Sequence, residues 1–479
     1  MSDTTTTTIL VRQQRDAADR LLRRAAVSGF VGALIIVATS PVRAQAAPTW
    51  RLTLPLLSSV DGRLFSLATF VLGVALLGYG WWRLGSYVAR ARDRDPHRLR
   101  KVCLVTALWS GPVLLGPPLL SNDVYSYAAH GELASHGYDV TKWGPIALGG
   151  GPFLNAADSV WHHNPSPYGP VWNKLAAAVV TQTDHDPAAA VWGFRVVIAL
   201  SVVAATWALA VLAAELGADP AMAVALAIAN PLTVIHVLGG IHNDGLMMAL
   251  LLIGLYLARR KRRWAALVLI TAATAVKLPA AAGLVYLGWN WRDELDTRLK
   301  RFAGAVVAGA VGMLLIVWLS IEVRMGMGWL GALRGTSKVM STFAPVTMLG
   351  LVLGKFLELF GINVGSDPIV GLLRVGGLLL AGWLAWLLLS NCRRIGTERA
   401  LGLTLVLAVV LGPVMWPWYL PPAIAVLVAA GAERFRPALT VISCAVMLAV
   451  VPTSARVDVG WAEYHSVFRL IAVIGVLAG

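Results

Sequence analysis

The sequence has few charged residues for its length. Of 479 residues, only 14% are charged, whereas 57% are hydrophobic and the mean hydropathy is +0.70. A typical soluble domain carries about 25% charged residues, so the composition excludes that class and indicates a membrane protein. The apolar runs, such as residues 64–82, are long and unbroken rather than alternating, which favours transmembrane helices over a barrel. We predict an all-α polytopic membrane protein.

Three further absences narrow the chemistry. The cysteines Cys103, Cys392 and Cys444 lie in or beside apolar segments without metal-ligand spacing, so we interpret them as inert packing residues. His162 and His163 are adjacent and point apart, and no His-x-x-x-His motif accompanies them, which argues against a metal. The sequence has no glycine-rich phosphate loop. We therefore predict no metal and no cofactor.

The net charge of +15 does not indicate nucleic-acid binding, because the basic residues cluster in short runs between apolar segments. Such runs lie on the cytoplasmic side of membrane proteins. We predict a cytoplasmic N-terminal arm over residues 1–25 and one transmembrane domain over residues 26–479 of a plasma-membrane protein, with about fourteen spans. The runs predicted to face the cytoplasm are residues 90–101, 259–263, 292–301, 391–399 and 432–437.

Two apolar segments do not fit simple spans. If residues 344–361 crossed the bilayer, two of the basic runs would face outward, so we predict an interfacial or re-entrant helix on the outer side. The segments 264–276 and 279–291 are each short, and Lys-Leu-Pro lies between them. We predict a helical hairpin with its tip near the outer surface.

This topology places the polar-aromatic clusters on the outer face. The longest interval between spans, residues 118–187, lies outside, together with residues 239–244, 277–279 and 416–422. Loops longer than about 15 residues in a compact protein are usually functional or disordered. The aromatic content of residues 118–187 argues against disorder, so we expect this segment to pack on the helices.

Asp123, in the stretch LSNDVYSYAAHGEL, is the candidate general base. One alternative is a helix N-cap, a position that Asp and Asn favour, and Asn122 could take that role and leave Asp123 free. An ionisable group at the bilayer boundary is costly without a partner or a function. Tyr125 and His130 follow at i+2 and i+7, which favours a functional interpretation.

A second polar cluster opens the span after GGIHND. An N-cap explains Asn243, but His242, Asn243 and Asp244 together exceed what a cap needs. The start of this helix also presents free N–H groups, which favour an anion. Lys277, before Pro279 in the broken hairpin, is hard to explain as an interfacial anchor, so we interpret it as a phosphate ligand.

Other cations and aromatic residues accompany these clusters on the predicted outer face. The cations are Arg195, Arg324, Arg334 and Lys338, although a single cation such as Arg324 is also consistent with a snorkelling anchor. Aromatic residues with nearby prolines occur in WHHNPSPYGPVWNK, which contains Tyr168, and in MWPWYLPP, which contains Trp416 and Tyr419. Most tryptophans fit an interfacial belt. The prolines fix extended turns, and flat aromatic walls with polar edges suit sugars.

The motifs SNDVYSYAAHG, PSPYGPVW, HNDGLM, KLPA and WPWYLP occur in this order over about 300 residues. In this order they resemble those of the actinobacterial polyprenyl-phosphomannose-dependent α-1,6-mannosyltransferases, integral-membrane enzymes of the GT-C class. The resemblance implies a lipid-linked mannose donor, an α-mannan glycolipid acceptor and elongation of the α-1,6-mannan backbone of lipomannan and lipoarabinomannan on the periplasmic side. It also implies an inverting reaction with the loop carboxylate Asp123 as base.

With that chemistry the sequence predicts three features, which are a base at Asp123, a site for the anionic donor phosphate and an apolar groove for the lipid. The predicted donor-phosphate group comprises Lys277, His242, Asp244, Arg195 and Arg334. The predicted substrate-binding group comprises Asn122, Tyr125, His130, Glu132, Tyr168, Asn243, Trp416 and Tyr419. The lipid tail is expected between spans, near residues 344–361.

Three alternatives remain at this point. Arabinosyltransferases of the same class share the loop carboxylate, so polyprenyl phosphoarabinose is a second possible donor. A flippase for a lipid-linked sugar also uses broken helices, but it should show polar residues on both sides of the midplane and an inverted repeat. A purely structural membrane protein fits poorly with the aromatic and ionisable density of the outer segment.

Overall fold

The computed structural model describes residues 2–40, 60–91, 95–291, 296–331, 343–362, 365–431 and 433–450, and every regular element in these ranges is helical. The predicted all-α class is therefore confirmed. The first ten helices are α1 (Ser2–Thr39), α2 (Val60–Arg90), α3 (Arg98–Leu115), α4 (Asp123–Ser135), α5 (Pro152–Ala156), α6 (Ser159–His162), α7 (Pro170–Gln182), α8 (Pro187–Glu215), α9 (Pro220–Ala227) and α10 (Asp244–Arg259).

The helices of the second half include the two legs of the predicted hairpin. They are α11 (Arg263–Val276), α12 (Ala281–Trp289), α13 (Arg298–Glu322), α14 (Pro345–Leu359), α15 (Ser366–Ser390), α16 (Cys392–Ile395), α17 (Thr397–Val410), α18 (Leu420–Ala429) and α19 (Arg436–Met447). A π-helix covers Leu232–Gly239, and 3₁₀ turns cover Pro145–Leu148, Leu278–Ala280, Pro417–Tyr419 and Glu433–Phe435.

Five helices within the described ranges are long and apolar enough to cross a bilayer. They are Asp16–Thr39, Phe65–Arg90, Pro187–Glu215, Arg298–Glu322 and Ser366–Ser390. A sixth candidate combines α9 with the π-helix, two segments bent by 60° relative to each other. The predicted span near residue 465 lies outside the described residues, so the count of about fourteen stays a prediction.

The N-terminal helices pack closely through small residues. α1 is continuous, so the predicted arm and the first predicted span form one helix. A Cβ on Gly32 would lie 2.5 Å from the backbone nitrogen of Leu77, and one on Gly80 would lie 2.8 Å from that of Gly29. Lipid tails are as apolar as the helix surfaces, so such close contact stabilises helix pairs in membranes. The α1–α2 pair is the result.

The centre of the bundle consists of short, predominantly apolar segments. Every residue of the π-helix Leu232–Gly239 and of α18 is buried. A helix that is hydrophobic all round is stable only when protein surrounds it on all sides. The longer helix α8, in contrast, exposes one stripe that includes Val196, Leu200 and Val203. The broken segments therefore lie inside the bundle, where they carry the polar groups of the site.

The predicted hairpin of α11 and α12 is present. The rings of Trp264 and Trp291, at its two ends, lie 5.0 Å apart, and Ile270 fills the space beside Gly283. The chain reverses at Lys277, whose backbone is extended with φ of −153° and ψ of 128°. Lys277 thus lies at the tip. That the tip is near the outer surface of a membrane stays a prediction.

α14 lies antiparallel to the first half of α15. Gly350 packs against Val370, and Gly354 packs against Ser366. Thr347 Oγ1 donates a hydrogen bond to the carbonyl oxygen of Pro413 at 2.9 Å. α14 thereby contacts the segment that follows α17. Its interfacial or re-entrant placement stays a prediction.

The segment 118–187 is ordered and packs on the helices, as expected from its aromatic content. It contains α4 to α7, and α7 contacts both α8 and α11. Gly131 of α4 lies against the backbone of Ala176 in α7, where a Cβ would approach the Ala176 oxygen to 2.6 Å. This close contact fixes the direction of α4 and therefore the position of its first residue, Asp123.

Candidate active site

Asp123 begins α4 with its side chain directed into a cavity. Asn122 occupies the N-cap position, but its side chain makes no capping hydrogen bond. The backbone N–H of Asp123 donates to Ser121 Oγ at 3.2 Å instead. The carboxylate of Asp123 is not used as a cap, and its side chain is 20% exposed within the cavity.

The cavity has a volume of about 510 Å³ and joins polar, aromatic and apolar surfaces. Its polar side chains are Ser40, Ser121, Asn122, Asp123, Asp158, Asp244 and Lys277. Its aromatic side chains are Trp161, Tyr168, Trp416, Trp418 and Tyr419. Its apolar part includes Met247 of α10, Leu405, Ala408 and Val409 of α17, and Ala423 of α18. One space can therefore hold both a charged group and a hydrocarbon chain.

Lys277 is held in the cavity by a carboxylate. Its Nζ donates to Asp244 Oδ2 at 2.7 Å, and the two side chains are only 12% and 2% exposed. The ammonium lies 4.2 Å from the ring centroid of Tyr419 and 5.9 Å from that of Tyr168. An ammonium has three N–H donors, so one bond to Asp244 leaves others for an anionic ligand.

Tyr168 is fixed by an aromatic cluster behind the cavity. Its ring centroid lies 5.4 Å from that of Tyr127 and 6.5 Å from that of Trp172, both in edge-on geometry. Trp172 in turn packs against Phe194 of α8 at 5.7 Å. Such pairs stabilise by about 0.5–1.5 kcal/mol beyond their buried area. The cluster packs residues 118–187, which the sequence predicts on the outer side and which we call the outer segment, against the apolar helix α8.

His242 lies behind Ser121 and Asp123. Its Nδ1 lies 2.6 Å from the carbonyl oxygen of His236, which can only accept, so Nδ1 carries the proton. The unprotonated Nε2 then faces Ser121 Oγ at 3.2 Å and Asp123 Oδ2 at 3.6 Å. The ring is fully buried and stacks on Trp418 at 3.8 Å. This neutral imidazole accepts from the hydroxyl of Ser121, whose oxygen in turn accepts from the backbone N–H of Asp123, and it does not line the cavity.

Burial raises the pKa of Asp123 to about 6, because the charged form loses hydration. The nearby ammonium of Lys277 opposes the rise, whereas the negative charges of Asp244 and Asp158 add to it. Within the described residues, no lysine or arginine is in ion-pair contact with Asp123. A carboxylate with a pKa close to neutrality is suited to accepting and releasing a proton.

Four helices carry a basic residue toward one end and a cavity residue at or beyond the other. These pairs are Arg98 and Asp123 for α3, Arg259 and Asp244 for α10, Arg263 and Lys277 for α11, and Arg399 and Val409 for α17. The cavity therefore opens at the end of the bundle opposite to these basic residues.

The structure divides the predicted site residues into two sets. The predicted residues that line the cavity are Asn122, Asp123, Tyr168, Asp244, Lys277, Trp416 and Tyr419. Arg334 lies outside the described residues. The remaining ones, which do not line the cavity, are Tyr125, His130, Glu132, Arg195, His242 and Asn243.

Local contacts explain why several of these residues lie away from the cavity. The ring nitrogens of His130 lie 2.8 and 3.2 Å from the carbonyl oxygens of Ser126 and Asn164, and its N–H donates to one of them. Glu132 accepts a hydrogen bond from His185 Nδ1 at 2.6 Å. These contacts tie the outer segment together. They give His130 and Glu132 structural positions rather than direct access to a ligand in the cavity.

Three other predicted residues are buried in the helical bundle. Arg195 lies in α8 with its guanidinium carbon 4.5 Å from the ring centroid of Trp192. Tyr125 is buried in α4, and Asn243 is fully buried. Among the described residues, the side chain of Asn243 has no hydrogen-bond partner. Arg195 makes this cation–π contact and does not line the cavity. Its predicted contact with the donor phosphate stays a prediction.

The sequence patterns did not assign site roles to most of the residues that line the cavity. Ser121, Asp158, Trp161, Met247 and Trp418 are among them. Ser121 and Trp418 lie within two residues of predicted site residues, so sequence proximity could have identified them. Trp161 begins the stretch WHHNPSPYGPVWNK and Asp158 lies three residues before it, and the bends between α5 and α7 bring both to the cavity. Met247 resembles any other apolar residue of α10.

Comparison with known proteins relates the chain to one family. Residues 26–293 match the family described as alpha-(1->6)-mannopyranosyltransferase, N-terminal domain, and residues 346–478 match the MptB C-terminal domain. No solved structure matches.

The relatives extend over most of the chain. Alpha-(1->6)-mannopyranosyltransferase B of Corynebacterium glutamicum is 30% identical over 421 residues, covering 81% of this chain and 70% of the relative. Alpha-(1->6)-mannopyranosyltransferase A of Mycobacterium tuberculosis is 29% identical over 458 residues, covering 91% and 86%. A probable alpha-(1->6)-mannopyranosyltransferase of Mycolicibacterium smegmatis is 30% identical, covering 74% and 69%. The chain therefore belongs to the alpha-(1->6)-mannopyranosyltransferase A and B family.

Proposed function

We propose that this protein is an inverting mannosyltransferase of the GT-C class that moves mannose from polyprenyl phosphomannose to the 6-hydroxyl of an α-1,6-mannan glycolipid. The mannan backbone of lipomannan and lipoarabinomannan is the acceptor that this family membership favours. The printed names of the relatives support the sugar and the linkage. The observation that carries the proposal is the cavity in which Asp123, Lys277 and an apolar helical surface meet.

The reaction divides between two side chains. Asp123 accepts the proton of the acceptor hydroxyl as its oxygen forms a bond to C1 of mannose, a step in which a general base contributes typically 10²–10⁴ in rate. The bond between C1 and the phosphate oxygen breaks, and its electron pair stays on the phosphate. Lys277 stabilises the charge that develops there. Attack opposite to the leaving phosphate inverts the anomeric centre.

The apolar surface accounts for the lipid part of the donor. Met247, Leu405, Ala408 and Val409 offer hydrocarbon contact beside the ammonium of Lys277. A prenyl chain lying against them would keep its phosphate at Lys277 while its remainder stays in the bilayer. α14 contacts the rim of the same cavity through Thr347 and Pro413, in keeping with the tail position expected near residues 344–361.

The distribution of basic residues supports a periplasmic reaction. Lysine and arginine concentrate on the cytoplasmic side of membrane proteins. The cavity lies at the ends of α3, α10, α11 and α17 that are remote from Arg98, Arg259, Arg263 and Arg399. We therefore expect the donor phosphate at the outer leaflet. A lipid-linked donor suits that side, because nucleotide sugars are substrates of the cytoplasm.

Donor and product identity test this function directly. Purified protein in lipid nanodiscs is incubated with a short α-1,6-mannoside and either a mannosyl or an arabinosyl phosphoprenol, each radiolabelled. We expect label transfer from the mannose donor alone and a product that α-1,6-mannosidase digests. Transfer from the arabinose donor would replace the proposed substrate. Absence of transfer from both donors, with movement of donor between leaflets of proteoliposomes, would instead identify a flippase.

A further inference from the structure

The cavity has a second surface, whose residues have no role in the proposed bond-breaking step. Asp158, Val160 and Trp161 reach it from the segment around α6, and Pro167 and Tyr168 follow from the approach to α7. These residues belong to the outer segment and not to the transmembrane helices. We call Asp158, Val160, Trp161, Pro167 and Tyr168 the loop wall.

Lys277 lies where the loop wall meets the helical surface. Its ammonium is 5.9 Å from the ring centroid of Tyr168, which belongs to the loop wall, and 4.2 Å from that of Tyr419, at the start of α18. A lipid donor enters from the bilayer and needs the apolar helical surface. A water-soluble glycan can approach only from outside the bilayer, along the partly exposed outer segment.

The chemistry of the loop wall suits a sugar. Asp158 caps α6 by accepting from the Val160 N–H at 3.1 Å through Oδ1, and the carboxylate retains acceptor capacity for a ligand hydroxyl. Its negative charge reaches the reaction centre, since it contributes to the raised pKa of Asp123. Trp161 is half-buried beside it and offers a flat apolar face. Proteins recognise sugars by combining hydrogen bonds to hydroxyls with contact to aromatic rings.

We infer that the loop wall is the acceptor subsite, in which Asp158 hydrogen-bonds hydroxyls of the terminal mannose and Trp161 packs against its ring face. The inference rests on the proposed mannosyltransferase function. It assigns the helical surface to the donor and the loop wall to an oligomannoside, so that the acceptor 6-hydroxyl approaches Asp123 from the side remote from the prenyl chain.

Two variants test the subsite by steady-state kinetics in nanodiscs. Asp158→Asn keeps a residue that caps helices well but removes the charged acceptor, and Trp161→Ala removes the flat ring. A hydrogen bond to a charged group contributes about 1.5–3 kcal/mol, which corresponds to roughly a tenfold to hundredfold change in binding. We expect the KM for an α-1,6-mannobioside to rise by about tenfold or more in each variant, with the donor KM unchanged.

Matched controls come from the same outer segment. Asp186→Asn changes another capping aspartate, which accepts from Ala189 N–H and is exposed away from the cavity. Trp143→Ala removes a tryptophan that is 55% exposed and does not line the cavity. Both controls should keep the wild-type acceptor KM. A rise in donor KM alone, or equal effects of controls and test variants, would overturn the inference.

A binding measurement separates this inference from the proposed reaction. Saturation-transfer NMR detects contact between unlabelled α-1,6-mannobioside and the protein in nanodiscs without any turnover. We expect transfer to the terminal mannose in wild type and in both controls, and weaker transfer in Asp158→Asn and Trp161→Ala. Should wild type bind the mannobioside without transferring mannose, the reaction is wrong and the subsite stands. Equal binding by wild type and Trp161→Ala would refute the subsite.

Discussion

Two carboxylates, one before the start of α3 and one beyond its end, have opposite electrostatic surroundings. α3 has 18 residues and, at 1.5 Å per residue, is about 27 Å long. At its start, Asp95 accepts hydrogen bonds from Lys101 at 2.7 Å and Tyr87 at 2.6 Å. Burial alone would raise the pKa of Asp95, but these bonds outweigh it and lower the pKa to about 2. Beyond the other end, burial raises the pKa of Asp123 to about 6.

The difference fits a role in stability for the carboxylate at one end and, in the proposed reaction, a role in chemistry for the carboxylate at the other. Near the start of α3, Arg98 pairs with Asp219, which also caps α9 through the N–H groups of Ala221 and Met222. Every oxygen there is engaged, so a ligand has nothing to bind. Asp123 has a neutral histidine instead of a cation beside it and faces an open cavity. Its proton affinity is left available for a reaction.

The largest expected effect comes from Asp123→Asn. An amide keeps the size of the carboxylate but cannot take the proton of the acceptor hydroxyl, so kcat should fall by about 10²–10⁴. The measurement is mannose transfer in nanodiscs, with the melting temperature as a check on folding. If a folded Asp123→Asn protein transfers mannose at the wild-type rate, the contrast between the two ends of α3 has no catalytic meaning.

Lys277→Met should have the next largest effect. Removing the ammonium leaves the charge on the departing phosphate without stabilisation, and loss of one such donor typically lowers kcat by about 10²–10³. The matched control is Lys142→Met, because Lys142 is an exposed residue of the outer segment that pairs with Asp139. The control should keep full activity. Comparable losses in both variants would show that Lys277 has no special role at the phosphate.

The pH dependence provides a smaller effect without mutation. Asp123 must be deprotonated to act as a base, and its pKa is raised to about 6. The protonated fraction therefore grows as the pH falls through this value, and kcat/KM should drop about tenfold per unit below it. Activity with saturating lipid donor is measured between pH 4.5 and 8, conditions that we choose to bracket the transition. An acid limb near pH 4 would show that the base is an ordinary exposed carboxylate.

Asp219→Asn should affect stability and leave the turnover number unchanged. Asparagine still caps α9, but the charged hydrogen bond from Arg98 is lost, which should destabilise the protein by about 2 kcal/mol. Thermal unfolding followed by fluorescence checks the shift, and kcat is determined well below the transition. A large loss of kcat at unchanged melting temperature would contradict the structural role of the pair.

Sequence patterns predicted the helical class, the hairpin around Lys277 and the carboxylate of Asp123, which lines the cavity. Each depends on local information: apolar run length, a helix break at Lys-Leu-Pro and a carboxylate directly after an apolar run. The full number of spans is not fixed in this way. Several helices inside the bundle, such as α9 and α18, are shorter than the bilayer is thick, so length does not show whether they cross it.

The direction of individual side chains was beyond prediction. His130 and His242 both lie in the polar motifs. The ring of His130 contacts the carbonyl oxygen of Asn164, whereas that of His242 lies beside the carboxylate of Asp123. Arg195 contacts Trp192, which lies three residues earlier on the same helix, and neither residue lines the cavity. Hydropathy specifies which face of a helix meets protein, but the choice between two buried neighbours depends on tertiary packing.

The ion pair at the hairpin tip has a consequence for turnover. In the proposed reaction, the polyprenyl phosphate product competes for the ammonium of Lys277 with Asp244, which forms an ion pair with it. A bare cation at that depth would retain a doubly charged product more firmly than the singly charged donor, and slow product release limits many enzymes. We expect Asp244 to pair with Lys277 again as the lipid leaves, so that no unpaired charge stays buried at the end of the cycle.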